Sequence, residues 1–429
     1  MNKFNESSMF FFYNSLPNKT AGIRLRVRLK EKIDPEALQN ALERTVRRNP
    51  FFRLKPILDE NGNICCEQNS VPPGISPEDG TRVLLGTEDT DGYLFRVRYT
   101  EDTIILFASH VLTDGRGVIS FLKSLLYNYF TDTGKVIGMD GSFLTDDTEE
   151  DPEETKNIFE DLPDDIKPLA PKEELKEVFS VPGERVLIET DQSRLFGIRF
   201  PKEQLKEEAK KRGTTPLPLL SVLFSDVLRK TYDTGDLTIR ISSPVDMRRF
   251  LNEKAMTNYS ISIETDIDAN LNGFGMEDRI NRVSEDIQKK ISRDEILGRA
   301  AFAGANAMGA MEFPFGNEEI CRGMMKKRIT KRDTFSFLLT NMGLVRFPKD
   351  MEGLIADFDI VSPSVATTPS ILTYTYGDHA NVFMVANFEE DAFAKGILEE
   401  LIKQGFDAEM TEDGYLSEDS LLTFKFEHR

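Results

Sequence analysis

The stretch from Thr103 to Tyr129 constrains the fold more than any other, because its apolar period changes partway along. Residues 103–109 form an apolar, β-rich run, joined by the polar turn Thr100-Glu101-Asp102 to a second strand pattern over 93–99. After Gly115 and Gly117, the residues Val118, Phe121, Leu122, Leu125, Leu126 and Tyr129 recur at i, i+3, i+4, i+7, i+8 and i+11, one broad apolar helix face. His110 to Gly117 is therefore a strand-to-helix connection.

The same alternation runs through the chain. Ile23, Leu25, Val27 and Leu29 alternate with Arg24, Arg26 and Arg28, the period of a strand with one buried face. A helix follows, with Asp34 as its cap, Pro35 in its first turn and Asn49-Pro50 as its stop. Later strands are predicted near 196–200, 237–242, 259–266, 335–339 and 357–361, and helices over 202–211, 216–232 and about 280–291. A hairpin is predicted at 371–376 and 381–387 around Gly377-Asp378-His379, then a helix over 392–403 and a terminal strand near 421–426. At 429 residues the chain exceeds what one core supports. The expectation is a mixed α/β protein with two halves, 1–182 and 183–429, in which the acidic stretch 140–182 is a crossover with a solvated surface.

The net charge of −19 argues against a partner bound mainly through phosphate neutralisation, so no nucleic acid is expected, although local basic clusters remain open outside the acidic segment. From Asp140 to Glu177 there are 15 acidic and 4 basic residues, so −11 of that charge sits in one segment. Three cysteines, Cys65, Cys66 and Cys321, form neither a disulfide framework nor a C-x-x-C metal pattern. No window reaches the roughly 20 apolar residues of a membrane span. The short apolar run from Met9 to Tyr13 lacks the flanks of a signal peptide. A cytoplasmic location is expected.

The chemistry concentrates in Ser109-His110-Val111-Leu112-Thr113-Asp114-Gly115. With three histidines in the chain, an Asp at +4 and a Gly at +5 arise by chance on the order of one time in a hundred. A neutral imidazole takes a proton from an O–H or N–H at physiological pH, and a loop fed by a rigid strand would hold it in place. The competing reading is a core histidine bonded to a carbonyl, with Asp114 as the helix N-cap. Asp114 can also accept from the His110 Nδ1 or pair with a cation. Gly115 admits positive φ or the close approach of a ligand, and Gly117 adds freedom at the helix start.

His110 to Gly115 resembles the His-x-x-x-Asp-Gly signature of the acyltransferase superfamily with the chloramphenicol acetyltransferase-like fold, which includes condensation domains, alcohol acetyltransferases, polyketide-associated acyltransferases and wax ester synthases. Asp34 to Phe52 is similar to that family's first helix, Pro244-Val245-Asp246-Met247-Arg248-Arg249 to its Pro-Val-x-x-Arg motif, and Thr340-Asn341-Met342-Gly343 to its Ser/Thr-Asn-x-Gly segment. The resemblance implies two related subdomains with a tunnel between them, and His110 near its middle. An acyl donor would enter from one side and an acceptor from the other. It also implies that Asp114 is mainly structural and pairs with Arg248, although Arg249 is equally placed by sequence. Asn341 would line the site, either stabilising an oxyanion or serving as a turn residue.

The implied activity is acyl transfer from acyl-CoA or an acyl-carrier protein to a small-molecule alcohol or amine, with His110 as general base. The thioester of CoA or of phosphopantetheine would be a cosubstrate rather than a resident cofactor. Ser109 stands where condensation domains usually carry another His, which favours a stand-alone O- or N-acyltransferase of the alcohol acetyltransferase kind. The lack of any Trp, and of an Asp-Phe-Gly-Trp-Gly segment, separates the chain from the plant branch. A catalytically silent condensation-like module that binds a carrier protein or an acylated ligand is the alternative. His379 and His428 read as solvated. No G-x-S-x-G elbow, Walker loop or dinucleotide fingerprint is present, and no metal site is expected.

Overall fold

The computed structural model describes residues 4–421 apart from 5, 14, 17, 61–63, 171–175, 313–333 and 364–366. Cys321, His428 and nearly all of the predicted terminal strand lie outside the described residues.

The alternation in β1 (Gly22–Leu29) produces what it predicts, with Ile23, Leu25, Val27 and Leu29 buried on one face. On one side β1 pairs antiparallel with β7 (Thr103–Ser109), which continues to β6 (Phe95–Tyr99) and β4 (Ile75–Pro77). Two short sheets, β2 (Leu54–Leu58) with β3 (Ile64–Gln68) and β5 (Leu84–Leu85) with β16 (Ser420–Leu421), accompany this sheet. Its helices are α1 (Glu6–Tyr13), α2 (Pro35–Arg48) and α3 (Gly115–Asp132). Asp34 caps α2 by accepting from Glu36 N and Ala37 N, as its sequence requires. Leu38, Leu42, Leu122 and Leu125 are fully buried between α2, α3 and the sheet. Each such leucine contributes about 1.5–3 kcal/mol.

The other edge of β1 is covered from far along the chain. β12 (Ile355–Val361) lies antiparallel to it, with Arg26 opposite Asp359 and Arg28 opposite Asp357. The basic face of one strand thus meets the acidic face of the other, and Arg26 Nε reaches Asp359 Oδ1 at 2.9 Å.

A second, mixed sheet has the order β10-β9-β11-β13-β14-β8-β15. Its strands are β8 (Gln192–Pro201), β9 (Ile239–Asp246), β10 (Ser260–Ile267), β11 (Phe337–Leu344), β13 (Ser370–Tyr376), β14 (His379–Ala386) and β15 (Glu409–Ser417). β11 is parallel to both of its neighbours. The helices α4 (Lys202–Lys211), α5 (Pro216–Thr231), α6 (Met276–Lys290) and α7 (Arg293–Glu312), with the helix Ala392–Lys403, accompany it.

The central strands of this sheet are buried on both faces. On β14, Val382 and Met384 enter the second core while Phe383 and Val385 enter the first; Ile371 and Leu372 divide in the same way on β13. That is why Val382 to Ala386 of β14 is a continuous apolar run with no polar alternation.

The acidic crossover has little regular structure, and it does not keep all of its charge in water. Glu154 is buried against Arg48 of α2, with Nη2–Oε1 at 2.8 Å, and Ile158, Phe179 and Val181 join the second core.

Candidate active site

β7 delivers His110 to the point where the first sheet meets the loop between β9 and β10. The His110 backbone N–H donates to Ala21 O at 3.0 Å, and Leu112 N closes a tight turn on Ser109 O at 3.0 Å. Ser109 is fully buried, and its Oγ accepts from Val111 N at 3.2 Å. The His110 Nδ1 lies 3.0 Å from the Thr113 carbonyl oxygen. A carbonyl accepts only, so Nδ1 carries the hydrogen and the lone pair is on Nε2. The ring is held by a carbonyl, as the core reading expects, yet it also lines the cavity.

Asp114 does not bond the imidazole. Its carboxylate caps α3, accepting from Arg116 N and Gly117 N at 3.2 Å, and also accepts from Tyr259 N at 2.9 Å. Arg248 grips it in a two-pronged pair, Nη1–Oδ2 at 2.8 Å and Nη2–Oδ1 at 2.9 Å. The cap and the ion pair, read from the sequence as alternatives, coexist. Arg248 is no surface cation, being 1 % exposed. Its remaining donors reach Ala255 O and Thr257 O, both at 2.7 Å, and Asp246 Oδ1 at 3.1 Å. Arg249 instead stacks on Phe250. Burial pushes the Asp114 carboxyl up, but the Arg248 charge and the N–H donors outweigh this and hold it below its ordinary value.

Neither glycine has positive φ. A Cβ on Gly117 would fall 1.9 Å from Thr113 Oγ1 and 2.5 Å from the Met256 carbonyl oxygen. The position therefore serves close approach of the β9–β10 loop, and conformational freedom is not what it supplies. A Cβ on Gly115 would meet only the tip of Met342. Asn341 is in β11, where the register slips between Asn341 and Leu344. Its Oδ1 accepts from Gly343 N at 3.1 Å, the turn role, and the residue also lines the cavity.

His110, Asp114, Gly115, Arg248 and Asn341 all line one cavity of about 1820 Å³, whose walls come from both the first and the second sheet. Two further residues contact His110. Phe11 of α1 lies parallel to the imidazole, with ring centroids 4.7 Å apart and planes at 16°. Asn258 Nδ2 donates to the His110 carbonyl oxygen at 2.6 Å. Its Oδ1 is buried, close enough to the ring to favour the charged form, and has no well-formed hydrogen bond among the described residues. Burial lowers the His110 pKa from its ordinary value, against the opposing pull of Asp114, Asn258 and the Thr113 carbonyl. No spacing in the sequence marks Phe11 or Asn258, because tertiary packing alone brings them to the ring. Among the described residues no cluster of three or more His, Cys, Asp or Glu could hold a metal, and no helix is long and apolar enough to cross a membrane.

No protein-family model matches the sequence, and no curated protein matches it either. Solved structures do match in shape. Polyketide synthase associated protein 5 from Mycobacterium tuberculosis superposes with a TM-score of 0.64 at 12% identity, over 93% of this chain and 96% of that one. TRI101 of F. sporotrichioides, complexed with coenzyme A and T-2, gives 0.60 at 10% identity, over 93% and 98%. The starter condensation domain of the rhizomide synthetase RzmA gives 0.57 at 10% identity, over 94% of each chain. The chain has the chloramphenicol acetyltransferase-like fold. Within that fold, the cavity beside His110 lies where β7, α3, the β9–β10 loop and β11 converge.

Proposed function

We propose that this protein is an acyltransferase that moves an acyl group from a thioester, carried by CoA or by a carrier protein's phosphopantetheine, to the hydroxyl or amine of a small acceptor. One observation carries the reading: Nδ1 of His110 is committed to the Thr113 carbonyl, so the basic nitrogen is Nε2, on a ring that lines a cavity walled by both sheets. The cavity exceeds the roughly 300–1,000 Å³ of a pocket for one small ligand, which supports a site for two reactants. The coenzyme A bound to TRI101 supports a CoA thioester as the donor.

In the proposed reaction Nε2 takes the acceptor's proton as the acceptor oxygen or nitrogen attacks the thioester carbonyl carbon. The carbonyl π-electrons move to oxygen, and Asn341 is the side chain we assign to help stabilise that oxyanion. Collapse breaks the carbon–sulfur bond, and the thiolate leaves with the proton returned by the imidazolium. Asp114 and Arg248 hold the loop that carries the base, and Gly115 and Gly117 let the surrounding elements close on it. Low solvation favours the neutral imidazole, so the base is ready at neutral pH.

The test is turnover with acyl-CoAs and acyl-carrier proteins against a panel of alcohols and amines, by wild type and His110→Ala. The variant should lose roughly 10²–10⁴-fold in rate while the protein stays folded, as read by circular dichroism. Equal turnover by the variant would refute the base, and no product from wild type with any pair would leave a silent binding module.

A further inference from the structure

We infer that Phe11 is a positioning residue for His110, and that α1 is the element that holds the imidazole in its working plane. The inference rests on the reading of His110 as the base.

The one well-formed hydrogen bond at the ring, from Nδ1 to the Thr113 carbonyl, fixes one edge of the imidazole, and Asn258 Oδ1 adds only an electrostatic contact, so the tilt of the ring plane is left to packing. The Phe11 ring, parallel at 4.7 Å, closes one face of the imidazole against both tilting and water. A stacked ring favours the coplanar orientation of its neighbour over tilted ones, which selects one plane for the imidazole. α1 is itself tied to the catalytic loop, because Ser8 Oγ donates to the carbonyl of Val111, the residue after His110, at 2.6 Å. Loop and aromatic plate therefore move together.

The run Phe10-Phe11-Phe12 spreads around the helix with a division of labour. Phe12 is buried in the first core and meets Phe4 edge-on at 4.9 Å. Phe11 covers the imidazole, while Phe10, 44 % exposed, lines the cavity. The polar residues of α1 fall in its first turn and leave no amphipathic stripe along it, so the ring at position 11 is explained by what it faces. Of α1, Ser7, Phe10 and Phe11 line the cavity beside the imidazole, and none of them carries a charge. The loop offers Asp114, whose charge Arg248 matches, and the β9–β10 loop offers the neutral Asn258.

The experiment is an NMR titration of the histidine ring protons beside steady-state kinetics, for wild type, Phe11→Ala, Phe11→Leu and Phe11→Tyr. There are three histidines, and His110→Gln assigns the signal. In Phe11→Ala, water reaches the ring and the His110 pKa should rise toward its ordinary value, with kcat down about tenfold and KM within about twofold. Phe11→Tyr should restore both, and Phe11→Leu, which restores bulk without the plate, should restore neither fully. A titration that Phe11→Ala leaves unchanged, or that Phe11→Leu restores as well as Phe11→Tyr, overturns the inference. The titration needs no turnover, so a protein without transferase activity would still show the shift and refute only the functional reading.

Discussion

Replacing Arg248 by Met tests whether the site is held together by one buried charge pair. The side chains of Arg248 and Asp114 are 1 % and 8 % exposed, so neither charge is relieved by solvent. Removing one partner of such a pair destabilises by about 3–5 kcal/mol, since the other charge remains buried. The carbonyls of Ala255 and Thr257 also lose their donors, at about 1 kcal/mol each. The expected loss is therefore about 5–7 kcal/mol at neutral pH, read as a fall in the urea midpoint by circular dichroism. Its pH dependence has a definite sign. In wild type the Asp114 carboxyl is held below its ordinary value, so its contribution is present above the unfolded carboxylate pKa and is lost as pH falls through the lower folded one. In the variant, only the backbone N–H donors of Arg116, Gly117 and Tyr259 still oppose burial, so that pKa rises and the variant recovers part of the difference as acid protonates Asp114. The deficit at about pH 5.5 should be smaller than at about pH 7.5. Asp114→Asn in the same background keeps an N-cap without the charge and should return about 2 kcal/mol. A deficit under about 1 kcal/mol, or one indifferent to both pH and Asp114→Asn, would refute the argument.

The two glycines of the motif should differ. Gly117→Ala forces a methyl onto Thr113 and the Met256 carbonyl and should cost about 1–3 kcal/mol, whereas Gly115→Ala displaces only the end of Met342 and should stay within about 1 kcal/mol. Equal midpoints in thermal unfolding would contradict this. Asn258→Asp would set a carboxylate beside the imidazole, and its attraction for the protonated ring should move the acid limb of the kcat/KM profile up by about one unit or more. Because the base works only when neutral, activity should fall at neutral pH and return on the alkaline side; an unmoved limb would sink the assignment of Asn258 to the ring's surroundings.

What could be read from the sequence is what local periodicity encodes. β1, α2, β7 and α3 stand where alternation, caps and helical spacing put them, because each buries one face against a core. α1 is hidden because it is short and its polar residues fall in the first turn rather than along one face, and α7, with its Gly and Ala residues, carries no stripe. β15 is absent from the sequence prediction because it is an edge strand, paired among the described residues with β8 alone, and largely solvated, so it carries no apolar alternation. Residues 340–343 do not form a free turn: Asn341 and Gly343 sit in β11, where φ of +66° at Gly343 accompanies the register slip. His379 likewise begins β14, opposite Tyr376, and is exposed. The partners of His110 and Asp114 were less accessible still. Choosing between Arg248 and Arg249 depends on which guanidinium turns inward, and the approach of Phe11 depends on where the whole of α1 packs.

The pairing of β1 with β12 has a consequence for biogenesis. Arg26 leaves the ribosome 333 residues before its partner Asp359. At about 5–20 residues per second, the outer edge of β1 waits on the order of 20–70 s for its neighbour. Throughout that interval the nascent N-terminal part presents an open row of backbone donors and acceptors beside a row of arginines. Those like charges repel a second copy that tries to add edge to edge, so the feature that recruits the acidic strand also guards the unfinished sheet from itself.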